Sequence, residues 1–324
     1  MFLTIVLLLV GFAILIKGAD FLVSGASSAA KKFNISNIAI GLTIVSFGTS
    51  APELMVSVLS ALNGKTDTTF GNVIGSNNFN VLMILGVAGL IYPLVVQRNT
   101  VKYEVPLSLL AALVLYLLVN DEILWQSEVN ILSRIDALIL MVFFALFMLY
   151  IYRTMKKSSD LDQESIKIYS TPMAIGMIVL GIAMLVGGGK LVVDSAVSIA
   201  LAYNLSDKFI GLTILAAGTS LPELATSAVA AYKKNTDIAI GNVVGSNIFN
   251  IFFILSVTGF IKPIPFNTAL NFDIEVFGTA TIILMIFMFT INQRKLDRWE
   301  AFMLLMGYIA YTIFLIANDQ GASA

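Results

Sequence analysis

The sequence contains no cysteine and no histidine among its 324 residues. That excludes a disulfide framework, a thiol nucleophile, Cys-ligated zinc and every imidazole role, whether base, relay or ligand. Charge is scarce as well: 12% of residues are charged and 58% are hydrophobic, against roughly 25% charged in an average soluble domain. So few charges, gathered in short clusters between long apolar runs, cannot cover the surface of a soluble protein. A net charge of −1 gives no reason to expect nucleic acid as a partner. What remains is an all-α membrane protein in a lipid bilayer, whose chemistry rests on carboxylates, amides, hydroxyls and backbone carbonyls.

A helix needs about 20 apolar residues to cross the hydrocarbon core, and ten such runs are expected here, at 2–28, 38–62, 70–92, 103–119, 131–152, 172–203, 209–232, 238–261, 272–291 and 299–317. The first lacks the basic start and small-residue cleavage site of a signal peptide and is expected to be a retained helix. With the N-terminus outside, thirteen basic residues fall in loops on the cytoplasmic side, among them Lys31, Arg98, Lys102, Arg153 and Lys233, against four on the other. Basic residues concentrate on the cytoplasmic side of membrane proteins, so both termini are expected outside and the chain in the plasma membrane. The longest polar stretch, Arg153 to Ser170, is too short for a folded domain and reads as a solvated linker.

Sliding the sequence against itself by 170 positions lays GLTIVSFGTSAPEL from Gly41 over GLTILAAGTSLPEL from Gly211, and FGNVIGSNNFN from Phe70 over IGNVVGSNIFN from Ile240; over residues 41–80, 22 of 40 positions are identical. The expected organisation is a first five-helix repeat at 1–155, a linker at 156–170 and a second five-helix repeat at 171–324, with motif regions 41–80 and 211–250. Five spans per repeat is an odd number, so the second copy enters the bilayer from the opposite side. Inverted repeats of this kind commonly hold a substrate site at the midplane, on broken helices.

The matched positions are polar and helix-breaking. Pro52 and Pro222 interrupt apolar helices and displace the carbonyls of Gly48 and Gly218. Each is followed by a glutamate, Glu53 or Glu223, and a charge at membrane depth costs at least about 2.5 kcal/mol, which marks a functional site. Ser76 with Asn80, and Ser246 with Asn250, have the i, i+4 spacing that puts hydroxyl and amide on one helix face. An all-oxygen ligand set suits hard cations such as Ca2+ and Na+ and disfavours zinc or copper. Two carboxylates neutralise one Ca2+ or two Na+, so the two ions would compete for one site. Asn72, Asn242, Asn77 and Asn247 are expected to bond across helices and hold the site in shape. Lys17 with Asp20 and Lys190 with Asp194 stand at helical pair spacings, and small residues such as Gly11, Gly18, Gly181 and Gly188 are expected to smooth the first and sixth helices for sliding against the ion-binding core.

At these residues the sequence resembles the cation/calcium exchanger superfamily, in particular the prokaryotic sodium/calcium exchangers, whose repeats contain GTS-x-PE and GNVxGSN-type signatures. The resemblance covers both motif regions and agrees with a ten-helix fold. It implies a cation site formed by Glu53, Glu223, Asn80, Asn250, Ser76, Ser246, Thr49, Thr219, Ser50 and Ser220, with the backbone carbonyls of Ser46 and Ala216. It implies Na+ and Ca2+ as transported substrates, no cofactor and a chain that works as a monomer. Asn250 stands where potassium-dependent members have an aspartate, which argues against K+ cotransport. The alternatives are a proton/calcium exchanger using the same glutamates and, further off, a cation channel. An intramembrane hydrolase has no base available beyond the two glutamates.

Overall fold

The computed structural model describes residues 2–122, 129–154, 167–202, 216–290 and 293–321. Eight helices among them are long and apolar enough to cross a membrane: α1 (Phe2–Phe33), α4 (Thr66–Ile91), α5 (Thr100–Val119), α6 (Arg134–Thr154), α7 (Thr171–Ala202), α9 (Thr236–Ile261), α10 (Thr268–Phe287) and α11 (Arg298–Gly321). A ninth span is the broken pair α2 (Asn37–Thr49) and α3 (Ala51–Leu62), bent by 47°. The chain is thus a mostly helical, multi-pass membrane protein. The expected seventh run begins outside the described residues; its later part is a short turn, Ala216–Gly218, followed by α8 (Leu221–Tyr232). Most of the linker 156–170 also lies outside them.

The offset of 170 recurs in three dimensions. Helix α8 repeats α3, α9 repeats α4, and the strands β1 (Leu94–Val95) and β3 (Ile264–Pro265) follow at the same interval. Each strand pairs antiparallel with one from elsewhere in the chain: β1 with β4 (Lys295–Leu296), in the register Leu94 to Leu296, and β3 with β2 (Ile131–Leu132), in the register Ile264 to Leu132. These two-residue ribbons satisfy backbone groups where helices end.

Helices α4 and α9 form the centre. The central helix α9 has 94% of its most apolar window buried inside the molecule, whereas α11 has 17% and presents its side chains outward, as a lipid-facing helix does. The crossing of α2 with α9 is unusually close because both backbones carry glycine there: a Cβ on Gly41 would lie 3.1 Å from the Cα of Gly241. One turn on, a Cβ on Gly245 would fall 2.2 Å from Ser46 Oγ. Any side chain at either glycine would push apart the helices that carry the polar motifs.

The long helices α1 and α7 pack against each other, and here the sequence expectation is corrected. A Cβ on Gly18 would sit 2.9 Å from Met184 Cβ and 3.0 Å from the carbonyl of Gly181, and one on Gly188 would sit 3.0 Å from Leu15 N and 3.1 Å from the carbonyl of Gly11. These glycines therefore join α1 to α7 as one close-packed pair and do not line its surface against the core. The core contact is made by larger groups: Ile182 sits over Gly48 and Val193 over Gly218. The charge pairs differ too. Asp20 is bridged at 2.5 Å by Lys233 and not by Lys17, fastening α1 to the end of α8, and Lys190 and Asp194 form no ion pair among the described residues.

Candidate functional site

Both proline motifs break the helix at the serine before them. Ser50 has φ −82° and ψ 7°, Ser220 has φ −89° and ψ 7°, and Pro52 and Pro222 sit in the first turn of the helix that follows, where a missing N–H costs nothing. Glu53 and Glu223 lie in the same first turns, where exposed backbone N–H groups favour negative charge. Asn80 and Asn250 occupy a second irregularity, the wide π-helical turns Phe79–Ile84 in α4 and Phe249–Leu255 in α9. Widening by one residue per turn rotates the following side chains relative to the preceding ones, which re-aims each amide.

The broken and widened helices meet at the centre, and each repeat serves the other. Ser50 Oγ donates to Glu223 Oε1 at 2.9 Å and lies 3.0 Å from Ser246 Oγ; Ser220 Oγ donates to Glu53 Oε1 at 3.0 Å and lies 2.9 Å from Ser76 Oγ. A hydroxyl has one proton, so the serine that gives it to the carboxylate accepts from its serine neighbour. The amides are fixed in the same crossed manner. Asn80 Nδ2 donates to Asn247 Oδ1 at 3.0 Å, and Asn250 Nδ2 donates to Asn77 Oδ1 at 2.9 Å.

This leaves four oxygens without a partner: Glu53 Oε2, Glu223 Oε2, Asn80 Oδ1 and Asn250 Oδ1. Their residues are at most 1% exposed. Unsatisfied buried polar atoms are rare in native proteins and each costs about 1–3 kcal/mol, more when charged. Neither glutamate has a Lys or Arg in ion-pair contact among the described residues. Two carboxylate and two amide oxygens, held by bonds through their other atoms, form a preorganised all-oxygen acceptor set of the kind that suits a hard cation.

Around this set lies a supporting layer. Asn72 Nδ2 donates to the Glu53 carbonyl at 3.2 Å and to Ser57 Oγ at 3.0 Å, while its Oδ1 accepts from Thr219 at 3.2 Å. Asn242 repeats this with the Glu223 carbonyl, Ser227 and Thr49. Thr49 and Thr219 thus stand one bond away from the glutamates, linking each proline motif to the opposite repeat. The Ser46 carbonyl accepts from Thr49 Oγ1 at 3.2 Å and from Ser50 N at 2.9 Å, while its hydroxyl donates to Gly41 O at 2.6 Å. Ala216 opens the turn before α8. The expected supporting roles of Asn72, Asn242, Asn77 and Asn247 agree with this geometry. Ser57 and Ser227, which also match at the offset of 170 within apolar helices, complete this layer through Asn72 and Asn242.

Residues 3–153 and 173–317 match the family model described as sodium/calcium exchanger protein. The chain is 39% identical over 323 residues to CaxA of Alkalimonas amylolytica, covering 97% of this chain and 98% of that one. It is 32% identical to sodium/calcium exchanger MaX1 of Methanosarcina acetivorans, covering 95% and 97%. Among solved structures, it superposes on the sodium-calcium exchanger NCX_Mj soaked with 10 mM Na+ and zero Ca2+ with a TM-score of 0.80 at 32% identity, covering 95% and 97% of the two chains. A family match over nearly the whole length, together with relatives at 32–39% identity, makes this chain a member of the sodium/calcium exchanger family.

Proposed function

We propose that this chain is a secondary active antiporter in which Na+ moving down its gradient expels Ca2+, without K+. The observation that carries this reading is the set of four unpartnered oxygens on Glu53, Glu223, Asn80 and Asn250. Two carboxylates balance one Ca2+ or two Na+, so occupation by one ion excludes the other, and that competition is what exchange requires. The remaining ligands are Ser76, Ser246, Thr49, Thr219, Ser50 and Ser220 and the carbonyls of Ser46 and Ala216. The amide at Asn250 adds no third charge, which removes the reason for a K+ counter-ion.

The ten-helix arrangement belongs to the same reading: two inverted five-helix repeats at 1–155 and 171–324, joined by a cytoplasmic linker at 156–170, with both termini outside the plasma membrane. Inversion lets one site open alternately to either side when the α1 and α7 pair rocks against the rest. Na+ and Ca2+ are then cargo and no cofactor is needed. The working unit is a single chain, because both repeats contribute to one site.

The test is Ca2+ uptake into proteoliposomes loaded in turn with Na+, with K+ or with acid buffer. Na+ loading alone should drive uptake. Uptake driven equally by acid loading would favour a proton/calcium exchanger, uptake strictly requiring K+ would overturn the role given to Asn250, and uptake without any gradient would favour a channel.

A further inference from the structure

We propose that a small cavity beside Glu104, at the start of α5 on the side of the basic residues Arg98, Lys102 and Arg153, is a second cation site that takes one monovalent alkali ion. Glu104 is 3% exposed, far from the central glutamates in the sequence, and plays no part in the site described above. Its Oε1 accepts from Tyr150 Oη at 2.5 Å, while its Oε2 is buried without a partner. One turn earlier, Thr100 is 0% exposed and its hydroxyl also lacks a partner. Among the described residues no Lys or Arg pairs with Glu104. Glu104 Oε2 is thus buried without a full hydrogen bond, the condition that marks the central site.

The space beside them fits an ion. A cavity of about 10 Å³ is lined by Glu104 and by the oxygen-bearing side chains of Ser36, Gln97, Asn99 and Thr154, room for one water-sized body. Gln97 spends its Nε2 on Asp237 Oδ2 at 2.6 Å, which leaves its amide oxygen as the end available to a cation. Glu104 is the one carboxylate in the lining, since that of Asp237 lies behind Gln97 and accepts from its amide, and one lining carboxylate among neutral oxygens suits a single positive charge, whereas Ca2+ takes 6–8 oxygens and more carboxylates. At the offset of 170, Thr100 and Glu104 correspond to Leu270 and Ile274, so this feature belongs to one repeat and to one side of the membrane. The cavity wall also includes Ile38, Ala39 and Leu42 of α2, the helix that ends at Thr49 beside Ser50. An ion here holds the start of that helix against α5.

The experiment measures equilibrium binding of radiolabelled Na+ to the full chain carrying Glu53→Gln and Glu223→Gln, in choline buffer, with and without Glu104→Gln. The expected result is that Glu104→Gln lowers binding by one Na+ per chain, with unlabelled K+ or Na+ competing for it. The readout is the difference made by Glu104, so it stands whether or not the central assignment holds. Thr154→Val, which keeps the shape and removes one lining oxygen, should weaken the same binding about tenfold, and it serves where Glu104→Gln elutes as aggregate. Binding indifferent to both substitutions overturns the proposal. Ca2+ binding at Glu104 in place of an alkali ion overturns it equally.

Discussion

Replacing Glu53 with Gln perturbs the site at one atom. The variant keeps the Oε1 that accepts from Ser220 and replaces the unpartnered Oε2 with an uncharged NH2. A unit charge about 4 Å from another contributes about 4 kcal/mol at an effective dielectric of 20, and a divalent ion in direct contact gains more before its own desolvation is subtracted. A loss of about 4 kcal/mol corresponds to about a thousandfold in Ca2+ affinity. Folding should not suffer, because the substitution removes a buried charge that has no cationic partner and whose burial itself costs stability. The assay is equilibrium binding of radiolabelled Ca2+ together with a thermal melt in chelator. Expected are binding weakened by about three decades, exchange abolished and a melting temperature no lower than that of the unsubstituted chain. Glu223→Gln should do the same, since its Oε2 is equally unpartnered and its Oε1 is equally held by a serine of the opposite repeat. Affinity within about tenfold of the original in either variant would refute the two-carboxylate reasoning.

Asn250→Asp places a third acid beside Glu53 and Glu223, so exchange should become pH-dependent and its ion preference should change, as measured by uptake across a pH series. Gly18→Leu forces a side chain into the 2.9 Å approach to Met184 Cβ and the 3.0 Å approach to Gly181 O, which should lower stability by at least about 1–3 kcal/mol in a thermal melt. Gly187→Ala, where no described atom lies within 4 Å of the added Cβ, should raise stability by about 0.5–1 kcal/mol. Asn72→Ala removes the bridge between the Glu53 carbonyl, Ser57 and Thr219, and should cost about 2–3 kcal/mol of stability and weaken Ca2+ binding, read by melt and by titration.

Much of this site is legible in the sequence because its parts are duplicated at one offset. The matched prolines locate the helix breaks, and the matched glutamates, serines and asparagines supply the acceptor set. Composition fixes the membrane setting, because 12% charged residues leave no other surface to cover. Linear spacing does not say which side chains meet. That Ser50 serves Glu223 and Ser220 serves Glu53 follows from the crossing of two repeats, and a spacing within one repeat carries no trace of it. The π-helical turns at Asn80 and Asn250 were also not legible, because one extra residue per turn leaves an apolar stretch looking periodic at both 3.6 and slightly longer intervals. The glycines of α1 and α7 suggest a sliding surface in sequence because small residues permit close approach to any neighbour, and only the packing shows that the neighbour is the other long helix. Asp20 takes its partner from the C-terminal end of α8, Lys233, in preference to Lys17 at helical spacing, where both groups reach water and a local pair contributes little.

The most direct test of the central claim is the position of a bound divalent cation. A crystal of the full chain soaked with Sr2+ or Ca2+ in the absence of Na+, measured for anomalous scattering, locates the ion without reference to transport. One peak is expected within about 2.3–2.6 Å of Glu53 Oε2 and Glu223 Oε2, with the Asn80 and Asn250 amide oxygens facing it, and it should be lost when Na+ is added back. A divalent ion bound elsewhere, with the four oxygens still unpartnered, would contradict the central claim.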